Sequence, residues 1–134
     1  MTSARRLAAV VLVATLTGAA TTAPAQASQR THAVAHCTDV SIKPAHYIFT
    51  CADGGIGLRK ATYTKWGTSA ARGSATYFYN DCKPSCAGGT FHFRKATFRL
   101  YRVVETKKYG PLFTRVEVAT KTHDHVYQLP TWPI

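Results

Sequence analysis

The sequence predicts an all-β fold, a single small disulfide-braced antiparallel sandwich or barrel of about five to seven strands. Three observations point there. Runs rich in β-branched and aromatic residues recur between turn signals spaced about 8–12 residues apart. Past residue 27, no segment of useful length repeats its apolar residues at helical spacing. Four cysteines, Cys37, Cys51, Cys82 and Cys86, follow a leader with the pattern of an export signal.

The leader is residues 1–27. Arg5 and Arg6 precede an apolar run over residues 7–20, and Ala25-Gln26-Ala27 gives the small-x-small pattern of signal peptidase sites. The apolar run is shorter than the roughly 20 residues a membrane-spanning helix needs, so cleavage near Ala27 and secretion are expected, with no transmembrane segment in the mature protein. Residues 28–36 are polar and aperiodic and are expected to be flexible. Residues 37–120 form the β domain, and residues 121–134, closing on Leu-Pro-Thr-Trp-Pro-Ile, read as an irregular tail because two prolines oppose regular structure.

Within the domain, Tyr47-Ile48-Phe49-Thr50 is the first clear strand, and Asp53-Gly54 after it is a turn signal, since glycine accepts positive φ. Residues 58–66 form a second strand whose alternation is broken, which predicts a bulge or a two-faced edge strand. The small residues 67–73 lead into a third strand over residues 74–79. Residues 91–104 form the longest. There Phe91 and Phe93 share one parity while Ala96, Phe98, Leu100 and Val104 share the other, predicting a bulge or bend near Arg94-Lys95. Tyr109-Gly110-Pro111 is a turn, and Leu112, Thr114, Val116 and Val118 alternate as the inward side of the next strand.

Between the third and fourth strands, residues 80–93 read Asn-Asp-Cys-Lys-Pro-Ser-Cys-Ala-Gly-Gly-Thr-Phe-His-Phe, a tight structural corner. Four cysteines allow three connectivities. The favoured one joins Cys37 to Cys51 across a hairpin-like segment turning near Lys43-Pro44, and Cys82 to Cys86 around Lys83-Pro84-Ser85. Zinc would require reduced thiolates and usually two close pairs, against both the spacing and an oxidising compartment. The Cys82–Cys86 loop is too short for a protease-inhibitor loop, and Pro84 after Lys83 disfavours cleavage there.

No catalytic constellation is evident. His92, Glu117 and Arg99 or Arg115 supply the residue types of a ribonuclease, but no local motif ties them together, and a chain of this size offers such triples by chance. His123 and His125, two apart on an extended strand, would face the same way, yet no third ligand lies nearby; the pair reads as a solvated polar turn. His92, between two phenylalanines, is placed on the outer face of a sheet. No metal or cofactor is expected.

Without Arg5 and Arg6, the 17 Lys and Arg fall to 15 against 6 Asp and Glu, a formal charge of +9. The charges are dispersed, as on any soluble basic protein, but the balance favours anionic polymers. Aromatics interleave with the cations, and Tyr63, Trp66, Tyr77 and Tyr79 are the candidate binding face, able to stack on sugars or bases while cations hold anionic groups. Ordinary half-buried strand tyrosines are the competing reading. The expected role is non-catalytic binding of an anionic or carbohydrate envelope component, such as cell-wall polysaccharide. The alternative is a small basic hydrolase such as a ribonuclease.

Three stretches carry a resemblance: Cys51-Ala52-Asp53-Gly54-Gly55, then Trp66-Gly67, then Asn80-Asp81-Cys82-x-Pro84-Ser85-Cys86-Ala87-Gly88-Gly89-x-Phe91-His92. Over about residues 37–118 the chain resembles small exported proteins of actinobacteria whose function is unknown. The resemblance implies secretion, two disulfides and a β-rich fold, and it supplies no activity. The tail from Thr120 and the high positive charge lie outside it.

Overall fold

A computed structural model describes residues 30–130. The expected export signal over residues 1–27 and the last four residues lie outside this range. The fold is all-β, with eight strands: β1 (His32–His36), β2 (Asp39–Ser41), β3 (Tyr47–Ile48), β4 (Ile56–Trp66), β5 (Ala71–Asn80), β6 (Phe91–Thr106), β7 (Gly110–Ala119) and β8 (Asp124–Gln128). Six of them close a barrel in the order β1-β3-β4-β5-β6-β7, and β7 returns to β1; β2 and β8 are additions beside β1 and β7. From β3 to β8 every neighbouring pair is antiparallel, but β1 closes the barrel through two parallel pairings, His36 with Ile48 and Ala33 with Phe113.

β1 corrects the expectation of a flexible segment over residues 28–36 for His32–His36; residues 28 and 29 lie outside the described range. Its Ala33, Val34 and Ala35 are all buried, because the strand is the seam between the first and last thirds of the chain. It also changes why the first disulfide fits. Both bridges are as expected, Cys37–Cys51 and Cys82–Cys86, with no free cysteine. However, the strands on either side of Lys43-Pro44 are not a hairpin: β1 turns at Cys37 into β2, and the bridge ties the end of β1 to the loop after the parallel β3.

The core fills the barrel: Tyr47, Leu58, Ala71, Phe98, Leu100, Phe113, Val116 and Val118, with Tyr63, Trp66 and Val103 packed against it. Two glycines permit closeness. A Cβ at Gly57 would overlap the Tyr47 carbonyl and the Phe78 ring, and one at Gly73 the Thr62 carbonyl and the Phe98 ring. The broken alternation of β4 is a bulge. Lys60 has φ of 54°, the register shifts between Arg59 and Thr62, and the inward side passes from Leu58 to Ala61 and Tyr63.

No bulge occurs at Arg94-Lys95, where the register of β5 with β6 is unbroken from Asn80↔Phe91 to Ala71↔Leu100. Phe91 and Phe93 are outward and exposed, so the parity change reflects an apolar outer surface. The side switch comes at Arg102, whose φ is 57°: beyond it Val103 faces the core opposite Phe113, and Val104 is exposed. The tail is also corrected. Residues 124–128 form β8, and the following Leu129 is fully buried in the core, donating its N–H to the Thr114 carbonyl at 3.0 Å.

Candidate functional site

The site forms where the sheet splits. β6 pairs with β7 only from Thr97, opposite Ala119. Residues 91–96 of β6 therefore continue on β5 alone, and the chain after Ala119 turns away. That turn is held by Thr120, whose hydroxyl donates to the His123 carbonyl at 2.8 Å and accepts the His123 N–H at 3.1 Å. β8 then returns along β7, with His125 opposite Val118 and Tyr127 opposite Val116, which puts both rings on the inward side. Across the split, Tyr77 pairs with Arg94 and Tyr79 with His92, on the side that carries Ala96 and Phe98 further along.

Tyr77, Tyr79, Arg94, His125 and Tyr127 line a groove of about 530 Å³ between β5, the free part of β6 and the turn into β8, and His92 flanks it. Its rings run as a series. His92 stacks on Tyr79 with centroids 5.0 Å apart, Tyr79 on Tyr77 at 5.9 Å, and Tyr77 on His125 at 5.5 Å. The Tyr77 and Tyr127 hydroxyls share a 2.5 Å hydrogen bond, and Tyr127 stacks on Phe49 of the core at 4.6 Å. Burial, reinforced by that hydrogen bond, holds the Tyr127 phenol well above its ordinary range, so it stays neutral. Tyr77 is buried and serves as floor, while Tyr79 is half-exposed and Arg94 exposed. Among the described residues, no carboxylate lines the groove.

The cysteine corner positions one end of the series. Asn80 accepts the Cys82 N–H through Oδ1 and donates Nδ2–H to the Cys86 carbonyl at 2.8 Å. Asp81 Oδ1 accepts the N–H groups of Thr90 (2.9 Å) and Lys83 (3.1 Å), and its Oδ2 lies 3.0 Å from His92 Nε2. The Thr90 N–H foremost, then His92 and the Lys83 N–H, bring the Asp81 carboxyl down to about 2. Asp81 is thus an ionised anchor that fixes the His92 ring against Tyr79.

The four residues of the expected binding face do not share one surface. Tyr77 and Tyr79 are in the groove. Tyr63 and Trp66 pack against the core: the Tyr63 hydroxyl donates to the Pro44 carbonyl at 2.6 Å, and Trp66 Nε1–H donates to the Thr31 carbonyl at 3.0 Å while its ring meets Phe113 edge-on. The bulge at Lys60 turns Tyr63 inward.

The ribonuclease triple is not assembled. Arg99 and Glu117 are cross-strand neighbours on the outside of the barrel, and Arg115 donates to Gln128 Oε1 at 3.1 Å. His92 is on the opposite face of β6 from Arg99 and seven residues along, roughly 23 Å away on an extended strand. That inward placement corrects the expectation of an outer-face histidine. His123 and His125 do lie side by side, with centroids 6.1 Å apart, but His125 stacks on Tyr77 and, among the described residues, no third donor joins them. The only close trio of metal-ligand types among the described residues is Asp53 with Cys82 and Cys86, and the disulfide engages both sulfurs.

Sequence reasoning missed Arg94, His125 and Tyr127 as parts of one site. The signal that finds Arg94 is the β5–β6 register, since once Asn80 faces Phe91, Tyr79 must face His92 and Tyr77 must face Arg94; His125 and Tyr127 follow from the β7–β8 register. No protein-family model, curated protein or solved structure matches the chain.

Proposed function

We propose that this is a secreted, non-catalytic binding module that takes an anionic or carbohydrate component of the cell envelope into the split-sheet groove. The observation that carries the reading is the series of stacked rings beside Arg94 in a groove without a carboxylate. Half-exposed Tyr79 offers its uncovered ring surface to a sugar, while Arg94 offers N–H donors and positive charge to anionic substituents. The expected leader, the resemblance to exported actinobacterial proteins and the two disulfides, which persist in oxidising compartments, support secretion.

The test is retention of the mature protein on purified cell wall, heparin and RNA at rising salt. Tyr79→Ala is expected to weaken retention on the cognate polymer by a salt-resistant increment of about 1–3 kcal/mol, the usual worth of one stacked ring. Arg94→Gln is expected to reduce the salt slope as well, since one fewer counterion is released. Trp66→Ala, once shown to be folded, is expected to match wild type. Salt-labile retention on all three polymers, unchanged by Tyr79→Ala and Arg94→Gln, would reduce the binding to bulk charge. Hydrolysis of RNA that His92→Ala abolishes would replace this reading with the hydrolase.

A further inference from the structure

The split that opens the groove also leaves a strand edge uncovered. Residues 91–96 of β6 bond along one side to β5 and, among the described residues, have no backbone partner on the other, where the Phe93 carbonyl accepts Arg94 Nη1–H at 3.0 Å. Such an edge presents unpaired N–H and C=O groups to any extended chain. The outer surface beside it is apolar: Phe91 and Phe93 are 45% and 43% exposed and, with Phe78 and Ile48, floor a shallow groove of about 320 Å³. Arg59 reaches across β5 from β4 and lays its guanidinium over the Phe93 ring, 3.9 Å from the centroid. Its Nε is buried and has no hydrogen-bond partner.

We propose that this edge takes an extended, acidic peptide segment of a partner protein as an added strand. Backbone groups of residues 91–96 would pair with the segment, its apolar side chains would cover Phe91 and Phe93, and a carboxylate would meet Arg59. Charge complementarity selects this occupant. Arg59, Arg94 and Lys95 are cationic, no carboxylate lines the apolar groove, and Asp81 at the end of the edge is engaged by His92, Thr90 and Lys83. A second copy of this chain would instead set Arg94 and Lys95 against their own kind on a body of charge +9. The inference goes beyond the polymer groove in using the backbone edge and the outer face; the two adjoin at the split and share Arg94.

The test uses the full mature protein and a short fluorescent peptide with valine, glutamate and valine on one face and threonines on the other. Two further peptides replace the glutamate with lysine or N-methylate alternate amides. Binding by anisotropy is expected for the acidic peptide, with about tenfold or greater loss on N-methylation, which removes several backbone hydrogen bonds. Arg59→Gln, at an outer-face position, is expected to weaken the acidic peptide about threefold to fivefold and leave the lysine peptide unchanged; Phe93→Ser, checked by thermal unfolding, should weaken both. Hydrogen exchange is expected to be fast in the free protein at the alternate amides of residues 91–96 that point away from β5, and slowed there by the acidic peptide. The proposal is overturned by any of four results: no binding at millimolar peptide, equal binding after N-methylation, equal binding of acidic and lysine peptides, or edge amides already protected in the free protein. Protection of those amides that tracks a concentration-dependent dimer in sedimentation would assign the edge to a second copy and overturn it too.

Discussion

Tyr63→Phe removes one oxygen and is expected to destabilise the barrel more than its size suggests. The Tyr63 hydroxyl donates its only proton to the Pro44 carbonyl at 2.6 Å, so the Tyr47 hydroxyl, 2.8 Å away, donates to the Tyr63 oxygen. Tyr47 is fully buried and Pro44 is buried too. Deleting the middle oxygen strands a buried donor and a buried acceptor at once, each worth about 1–3 kcal/mol, so the expected loss is about 2–4 kcal/mol. Tyr47→Phe removes only the terminal donor, leaves the bond to Pro44 intact, and is expected to cost about 1 kcal/mol. The double variant strands Pro44 alone and should be less damaging than the sum of the two. Equilibrium urea unfolding of the oxidised proteins measures all three. Equal costs for the two single variants, or additivity within about 0.5 kcal/mol, would refute the chain of hydrogen bonds. The same pair gives an alkaline signature. Burial foremost raises both phenols above their ordinary value near 10, so the fold favours their neutral forms. Their contribution is complete below about pH 10 and drains as pH rises above it, less steeply in Tyr63→Phe.

Three further outcomes are expected. Leu129→Ala should cost about 2–5 kcal/mol in the same assay, because Leu129 is fully buried beyond β8; a loss under about 0.5 kcal/mol would return the tail to irregular structure. Asp81→Asn should change the acid limb of stability. Its folded pKa of about 2 lies below the ordinary value of about 3.9, so its contribution is present above pH 4 and is lost as pH falls toward 2; unfolding midpoints measured from pH 5 to pH 2 should fall in wild type and stay flatter in the variant. Replacing the Cys37–Cys51 pair by serines should cost about 3 kcal/mol and the Cys82–Cys86 pair about 2, since the closed loops differ in length; the reverse order would contradict the loop-entropy account.

The long strands, the turns, the bulge in β4 and the Cys82–Cys86 bridge were legible because each is written in contiguous residues; the Cys37–Cys51 pairing was right although the hairpin inferred for it is absent. β1 was not legible. Its Ala-Val-Ala run is buried on both sides and flanked by histidines, so it shows no alternation, and its role as a seam depends on partners residues away in β3 and β7. β8 was hidden because its inward residues, His125 and Tyr127, are polar types that read as solvent-facing. The site was only half legible for a related reason. Tyr77 and Tyr79 stood out, but pairing them with Arg94 and His92 needs a register carried across the cysteine corner, and that corner's length does not fix it. Tyr63 and Trp66 were misassigned because β4 shifts register twice, at the positive-φ Lys60 and again between Tyr63 and Lys65, which turns both rings to the core.

The groove as a binding site is tested most directly by mapping backbone and side-chain NMR shifts of the mature protein during titration with soluble fragments of cell-wall polymer at moderate salt. The account predicts that shifts cluster at Tyr77, Tyr79, His92, Arg94, His125 and Tyr127, with saturation and with the Tyr79→Ala protein unresponsive. Shifts scattered over exposed lysines and arginines, or centred on Arg72 and Arg99 on the outer wall, would contradict it.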